Sequence, residues 1–213
     1  MLTQPSMLKS SSSEPNSPTK VCLCVTGASG ARYALQLLSH LVSGGLSVDL
    51  VYSPSARRVL LEECQISLDG DPSVLLSGNE IPSTPVLHDW SNIGAAPASG
   101  SAGFQAVIVL PCSMHTLASI AEGRAGNLIE RAAQVALKEG VPLVLCPRET
   151  PLSRTHLDQM SRLAWAGAKI LPASPGFYHK PQSIEELCDH FVFKVLDAIQ
   201  CGHLVPTRWK GSE

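Results

Sequence analysis

The sequence is short of charge. Asp, Glu, Lys and Arg make up 16% of its 213 residues, against roughly a quarter in an ordinary soluble domain. Hydrophobic types reach 44%. A chain so composed buries much of itself and hides further surface in an oligomer. Its net charge of −2 makes no electrostatic case for nucleic acid or an anionic membrane as partner. Zinc spacing is missing too: the seven cysteines, at 22, 24, 64, 112, 146, 188 and 201, form no C-x-x-C pair and no His/Cys cluster. An odd number of cysteines, most inside apolar segments, reads as buried reduced thiols of a cytoplasmic protein. The opening stretch MLTQPSMLKSSSSEPNSPTK lacks the apolar core of a signal peptide or a membrane span. It also lacks the arginines of a mitochondrial presequence and carries Glu14. Residues 1–20 therefore read as a disordered Ser/Pro-rich tail, and 21–213 as one domain.

What the sequence does contain is an alternation. Strand-like apolar runs fall at 21–26, 46–52, 106–110, 142–146 and 169–171. Helical periodicity falls at 30–42, 55–64, 116–121, 128–139, 153–165 and 184–199. Residues 66–104, rich in Gly, Pro and Ser, read as irregular. Several strands are apolar without a break, which argues for strands covered on both faces. The expected fold class is α/β: a three-layer Rossmann-like or flavodoxin-like parallel sheet with helices on both faces, its five strands in the order 3-2-1-4-5.

In such sheets ligands bind beyond the carboxyl ends of the strands. Those ends read Thr26-Gly27-Ala28-Ser29-Gly30, Ser53-Pro54-Ser55, Pro111-Cys112-Ser113-Met114-His115-Thr116, Pro147-Arg148-Glu149-Thr150-Pro151 and Pro172 to Tyr178. Hydroxyls, glycines and helix N-termini suit a phosphate monoester or dianion, with Arg148 the fixed positive charge there. A dinucleotide fingerprint requires a further glycine where Ala31, Arg32 and Tyr33 stand, so a mononucleotide is the better expectation.

The segment 111–181 is more specific: PCSMHTLASIAEGRAGNLIERAAQVALKEGVPLVLCPRETPLSRTHLDQMSRLAWAGAKILPASPGFYHKP. Together with TGASGARYA, SPSA and HDWSN…PASGS at 88–101, it closely resembles the UbiX-type flavin prenyltransferases, over nearly everything from 21 to about 209. The resemblance implies that reduced FMN, bound as a substrate, is joined at N5 and C6 to the dimethylallyl group of dimethylallyl monophosphate. It also implies that no metal takes part, that the chain assembles as a homo-oligomer (commonly a dodecamer of trimers), and that the prenylated FMN passes to a UbiD-type decarboxylase.

By the same resemblance Gly27, Ala28 and Ser29 contact the flavin, with Ser29 near N5. Ser53 meets its phosphate end, Ser113, Met114, His115 and Thr116 the ring and ribityl side, and Arg148 the flavin again. The prenyl phosphate falls to Arg131, Lys138, Glu149 and Tyr178, drawn from more than one subunit. Lys194 stands where the family commonly has an arginine against that phosphate. Glu63 matches a carboxylate near the site, and Trp90 and Trp209 match aromatic residues beside the prenyl chain. These types suit the chemistry. Cations and a phenol stabilise a departing phosphate, π-faces attract an allylic cation, and Glu149 moves the proton lost at C6.

Plainer readings stand beside these. Arg131 and Lys138 share a helix and can face solvent, as can Glu63. Trp90 can be loop packing, Trp209 can pin the C-terminal segment, His115 can serve packing or solvent, and Cys112 is a small buried residue. His156 and His179 suit hydrogen bonds or subunit contacts. Rival functions are an FMN-dependent decarboxylase of the same superfamily and a non-catalytic FMN-binding subunit. The first lacks its PASANT stretch here, where Pro97-Ala98-Ser99-Gly100-Ser101 stands. The second gives no reason to hold Arg131, Lys138, Glu149 and Tyr178 together.

Overall fold

A computed structural model describes residues 19–76 and 82–206. Most of the stretch read as a tail, and Trp209, lie outside the described residues. The strands are β1 (Lys20–Val25), β2 (Ser47–Tyr52), β3 (Val86–His88), β4 (Ala106–Cys112), β5 (Leu143–Pro147) and β6 (Lys169–Ile170). The helices are α1 (Ala31–Ser43), α2 (Pro54–Cys64), α3 (Met114–Ala121), α4 (Leu128–Glu139), α5 (Arg154–Trp165) and α6 (Ile184–Ala198). All strand pairs are parallel, in the order β3-β2-β1-β4-β5-β6.

That order corrects the expected one. The strand expected at 106–110, third in sequence and outside β2 in that order, is β4 at Ala106–Cys112 and pairs with β1 in the centre of the sheet. The place beyond β2 belongs to Val86–His88, within the stretch read as irregular. Its short length hid it, because three half-exposed residues carry no periodicity.

The unbroken apolar runs arise because neighbouring residues of one strand feed two different cores. Val21, Leu23 and Val25 of β1 pack with α1, α2 and α6, while Cys22 and Cys24 pack with α3, α4 and α5. In β4 the same split sends Ile108 and Leu110 one way and Val107 and Val109 the other. Each fully buried Leu, Ile or Val contributes roughly 1.5–3 kcal/mol by leaving water, so strands sealed on both faces dominate the stability. All seven cysteines are free and six are buried. Burial raises the Cys112 and Cys146 thiols well above their ordinary range, so they pack as protonated small hydrophobes. Helix starts follow side-chain caps: Ser53, Ser113, Asn127, Ser153 and Ser183 each accept a backbone N–H from the first turn. His156 completes the Ser153 cap by accepting the Ser153 N–H, a hydrogen-bonding role as expected.

Helix α6 lies alongside α1 in the same direction. Arg32 meets Glu185 at 2.7 Å, and both Gln36 and His40 reach Asp189. The N-terminus of α6, and the loop before it, therefore lie at the edge where the strands end.

Candidate active site at the carboxyl edge of the sheet

The loops after β1 and β4 are joined by one buried side chain. Thr26, 2% exposed, donates from Oγ1 to the Pro111 carbonyl at 2.9 Å and accepts the Ser113 N–H at 2.7 Å. The Thr26 N–H adds a bond to the same carbonyl at 3.1 Å. Gly27 then runs hard against α2: a Cβ there would sit 2.3 Å from the Ser55 Cβ, so no larger residue lets the two loops close. Ser53 caps α2 through the Ala56 N–H at 3.1 Å. Ser113 caps α3 through Thr116, with N–H and hydroxyl contacts of 3.3 and 3.1 Å. Met114 is buried and His115 is exposed beside it.

Ser29 is held between opposite charges. Its side chain hydrogen-bonds Glu63, and Arg148 donates from Nε to its carbonyl oxygen at 3.3 Å. Glu63 reaches 33 residues back to accept the Gly30 N–H at 2.9 Å, and the Ala31 N–H at 2.9 Å. Its surroundings pull both ways. Desolvation raises the carboxyl, but the bonds from Ser29, Gly30 and Ala31 and the Arg148 charge outweigh it and hold the group below the usual carboxylate range. The N-terminal amides of α1, offered by the sequence as phosphate donors, are therefore occupied by the protein's own carboxylate. Glu63 has a role that neither of its sequence readings included.

FMN fits what remains. Gly27, Ala28 and Ser29 give small side chains against which a flat ring can lie. Ser53 and the Ser113–Thr116 turn offer hydroxyls at two helix N-termini for a single phosphate and the ribityl chain. Arg148 adds one guanidinium beside Ser29. Glu149 follows Arg148, is exposed, and accepts the Thr150 N–H at 3.0 Å.

The expected prenyl-phosphate residues divide between the two faces of the sheet. Tyr178 lies in the loop before α6, its Oη 2.7 Å from His190 Nε2, and Lys194 lies one turn beyond His190 on α6. Arg131 and Lys138 are exposed on α4, in the layer under the opposite face, where Lys138 pairs with Glu139 at 2.9 Å. Trp90 is partly buried against the α3–α4–α5 core, and its carbonyl accepts the Leu128 N–H at the start of α4. Sequence reasoning passed over Thr26 and His190. Thr26 stood in the quoted loop as an ordinary strand-end residue, and His190 sits in an amphipathic helix with no local signal.

The lowered Glu63 carboxyl has a consequence for stability. A carboxylate whose folded-state pKa is depressed stabilises the fold above its unfolded value of about 4.3, and that contribution is lost as pH falls through the folded value. Glu63→Gln therefore lowers the melting temperature at pH 7, and its deficit against the native chain shrinks progressively below about pH 4.3. Thermal unfolding across that range checks this; a deficit independent of pH would remove the charge from the argument.

A family model described as Flavoprotein matches residues 9–196. The flavin prenyltransferase UbiX of Synechocystis sp. (strain ATCC 27184 / PCC 6803 / Kazusa) is 42% identical over 195 residues, covering 89% of this chain and 95% of the relative. Among solved structures, AnUbiX (PadA1) in complex with FMN and dimethylallyl pyrophosphate superposes with a TM-score of 0.84 at 36% identity, covering 92% of this chain and all (100%) of that one. A dodecameric FMN-dependent UbiX-like decarboxylase from Escherichia coli O157:H7 gives a TM-score of 0.81 at 35% identity, with coverage of 91% and 100%. With its parallel sheet and this degree of identity over most of its length, the chain belongs to the UbiX-type flavin prenyltransferases.

Proposed function

We propose that this protein transfers the dimethylallyl group of dimethylallyl monophosphate to N5 and C6 of reduced FMN, and that the prenylated FMN goes to a UbiD-type decarboxylase. The observation that carries the reading is the clamp on Ser29 by Glu63 and Arg148, at the sheet edge of a chain 42% identical to a UbiX enzyme. Reduced FMN, when bound, supplies two nucleophilic positions. The chain's residues do the rest. Gly27, Ala28, Ser53, Ser113, Met114, His115 and Thr116 hold the flavin, and Ser29 aligns its reacting edge. Arg131, Lys138, Tyr178 and Lys194 stabilise the phosphate as the allylic C–O bond breaks. Lys194 keeps the charge of the family's arginine but loses its two-pronged geometry. The aromatic faces called on for the prenyl carbon that gains positive charge are those of Trp90 and, by the family resemblance, Trp209. Glu149 takes the proton displaced at C6. The reading calls on no metal.

A homo-oligomer completes the site. In one chain α4 and α6 cover opposite faces of the sheet, so Arg131 and Lys138 of one subunit would meet Tyr178 and Lys194 of another. Trp165 is 88% exposed and Phe177 71%, apolar surface that a second subunit would cover. The dodecameric relative from Escherichia coli supports that assembly, and the buried thiols suit a cytoplasmic setting. A single flavoprotein domain over 21–213, preceded by a tail, is part of the same reading.

Anaerobic incubation of the purified protein with reduced FMN and dimethylallyl monophosphate, with the pyrophosphate in parallel, yields a flavin heavier by one five-carbon prenyl unit. An unchanged FMN mass in both reactions defeats the reading. Glu149→Gln lowers the yield of prenylated flavin, and undiminished turnover would take Glu149 out of the proton transfer. Mixed oligomers of Lys138→Ala and Tyr178→Phe subunits, each poorly active alone, recover up to about a quarter of native activity because some sites draw both intact groups. No recovery after verified subunit exchange would put the whole site within one chain.

A further inference from the structure

The loop that carries Tyr178 is built around a histidine that the function above does not use. His190 Nδ1 accepts the Gly176 N–H at 3.2 Å. A ring nitrogen that accepts carries no proton, so in neutral His190 the proton sits on Nε2. Nε2 lies 2.7 Å from Tyr178 Oη, so the imidazole donates and the phenol oxygen accepts. The Tyr178 O–H must then donate to some group other than His190. The Gly176 backbone, in effect, sets which way the tyrosine's proton faces.

Three further features hold His190 in this state. Gly176 is a close-approach glycine: a Cβ there would meet the Tyr178 ring at 2.9 Å and His190 Cε1 at 3.2 Å, so the loop closes on both rings only without a side chain. His179 stacks flat on His190, with ring centres 4.4 Å apart and planes 5° apart, its own ring nitrogens buried without a hydrogen-bond partner among the described residues. Burial, with the nearby His179 and Lys194, shifts His190 below the ordinary histidine range and so favours the neutral ring. A second proton, on Nδ1, would point at the Gly176 N–H.

We infer that His190 is a positioning residue for the prenyl donor, holding the Tyr178 hydroxyl so that its O–H is aimed at the phosphate leaving group. This deepens the proposed function and rests on its reading of Tyr178 as a phosphate contact. It also gives Lys194 a context. An ammonium on a flexible stem has no preferred approach to phosphate, so the directional donor at this end of the site is the phenol, and its aim is set by His190.

The test pairs two variants in two backgrounds. His190→Phe keeps a ring for His179 to stack on but removes the donor. His190→Gln returns an N–H near the Nε2 position. With Tyr178 present, His190→Phe lowers kcat/KM for the prenyl donor roughly tenfold, as expected for a misdirected hydrogen bond to a charged group. FMN affinity stays unchanged, and His190→Gln recovers most of the loss. In the Tyr178→Phe background, His190→Phe costs nothing more. Unchanged donor kinetics in His190→Phe, equal losses in both backgrounds, or a parallel loss of FMN affinity would each overturn the inference. A native protein that forms no prenylated flavin would overturn the parent reading instead.

Discussion

The site depends on one buried hydroxyl. Thr26 both donates across the sheet to Pro111 and accepts from Ser113, so the loops after two adjacent strands move as one body. Part of the proposed flavin site hangs from that joint: Gly27 pressed against α2, Ser29 beyond it, and the Ser113 cap of α3. A buried threonine oxygen with a donor and an acceptor satisfied loses little by leaving water, whereas valine, its apolar isostere, would strand the Ser113 N–H.

A second constraint turns a familiar anion site inward. Helix N-termini attract anions because the amides of the first turn have no partner and the helix dipole ends there. At α1 the anion is Glu63 itself, a carboxylate of the same chain bound to the Gly30 and Ala31 N–H groups. That choice removes one phosphate position and yields a rigid negative charge beside Ser29, balanced by Arg148 on the other side. Ser29 thus has its hydroxyl directed by Glu63 and its backbone carbonyl fixed by Arg148 before any ligand arrives, which is how preorganised sites avoid reorganisation during reaction.

The sheet divides the rest of the machinery. Because β1, β4 and β5 are sealed on both faces, α4 and α6 cannot meet within one chain, and the cationic residues each presents look outward. The low charge content and the large exposed apolar side chains fit the proposed assembly, in which other subunits would cover that surface. The α4 boundaries were legible in the helical periodicity at 128–139, and the structure shows Asn127 capping one end and Gly140 ending the other. The edge strand β3 was not, since three residues between prolines and glycines carry no pattern, and missing it displaced the strand at 106–112 in the expected order.

Local chemistry in the chain determined the alternation of strands and helices, the two-sided burial, the caps and the identity of the loops at the carboxyl edge. Those are set by residues a few positions apart. Tertiary structure decided which groups at that edge act on which. The bonds that matter join positions 33 apart (Gly30 and Glu63), 87 apart (Thr26 and Ser113) and 119 apart (Ser29 and Arg148). Even the 12 residues between Tyr178 and His190 span a loop and two helical turns. Sequence marks a hydroxyl, a carboxylate and an imidazole as capable of hydrogen bonding, but their partners exist only once parallel strands bring distant loops to the same edge.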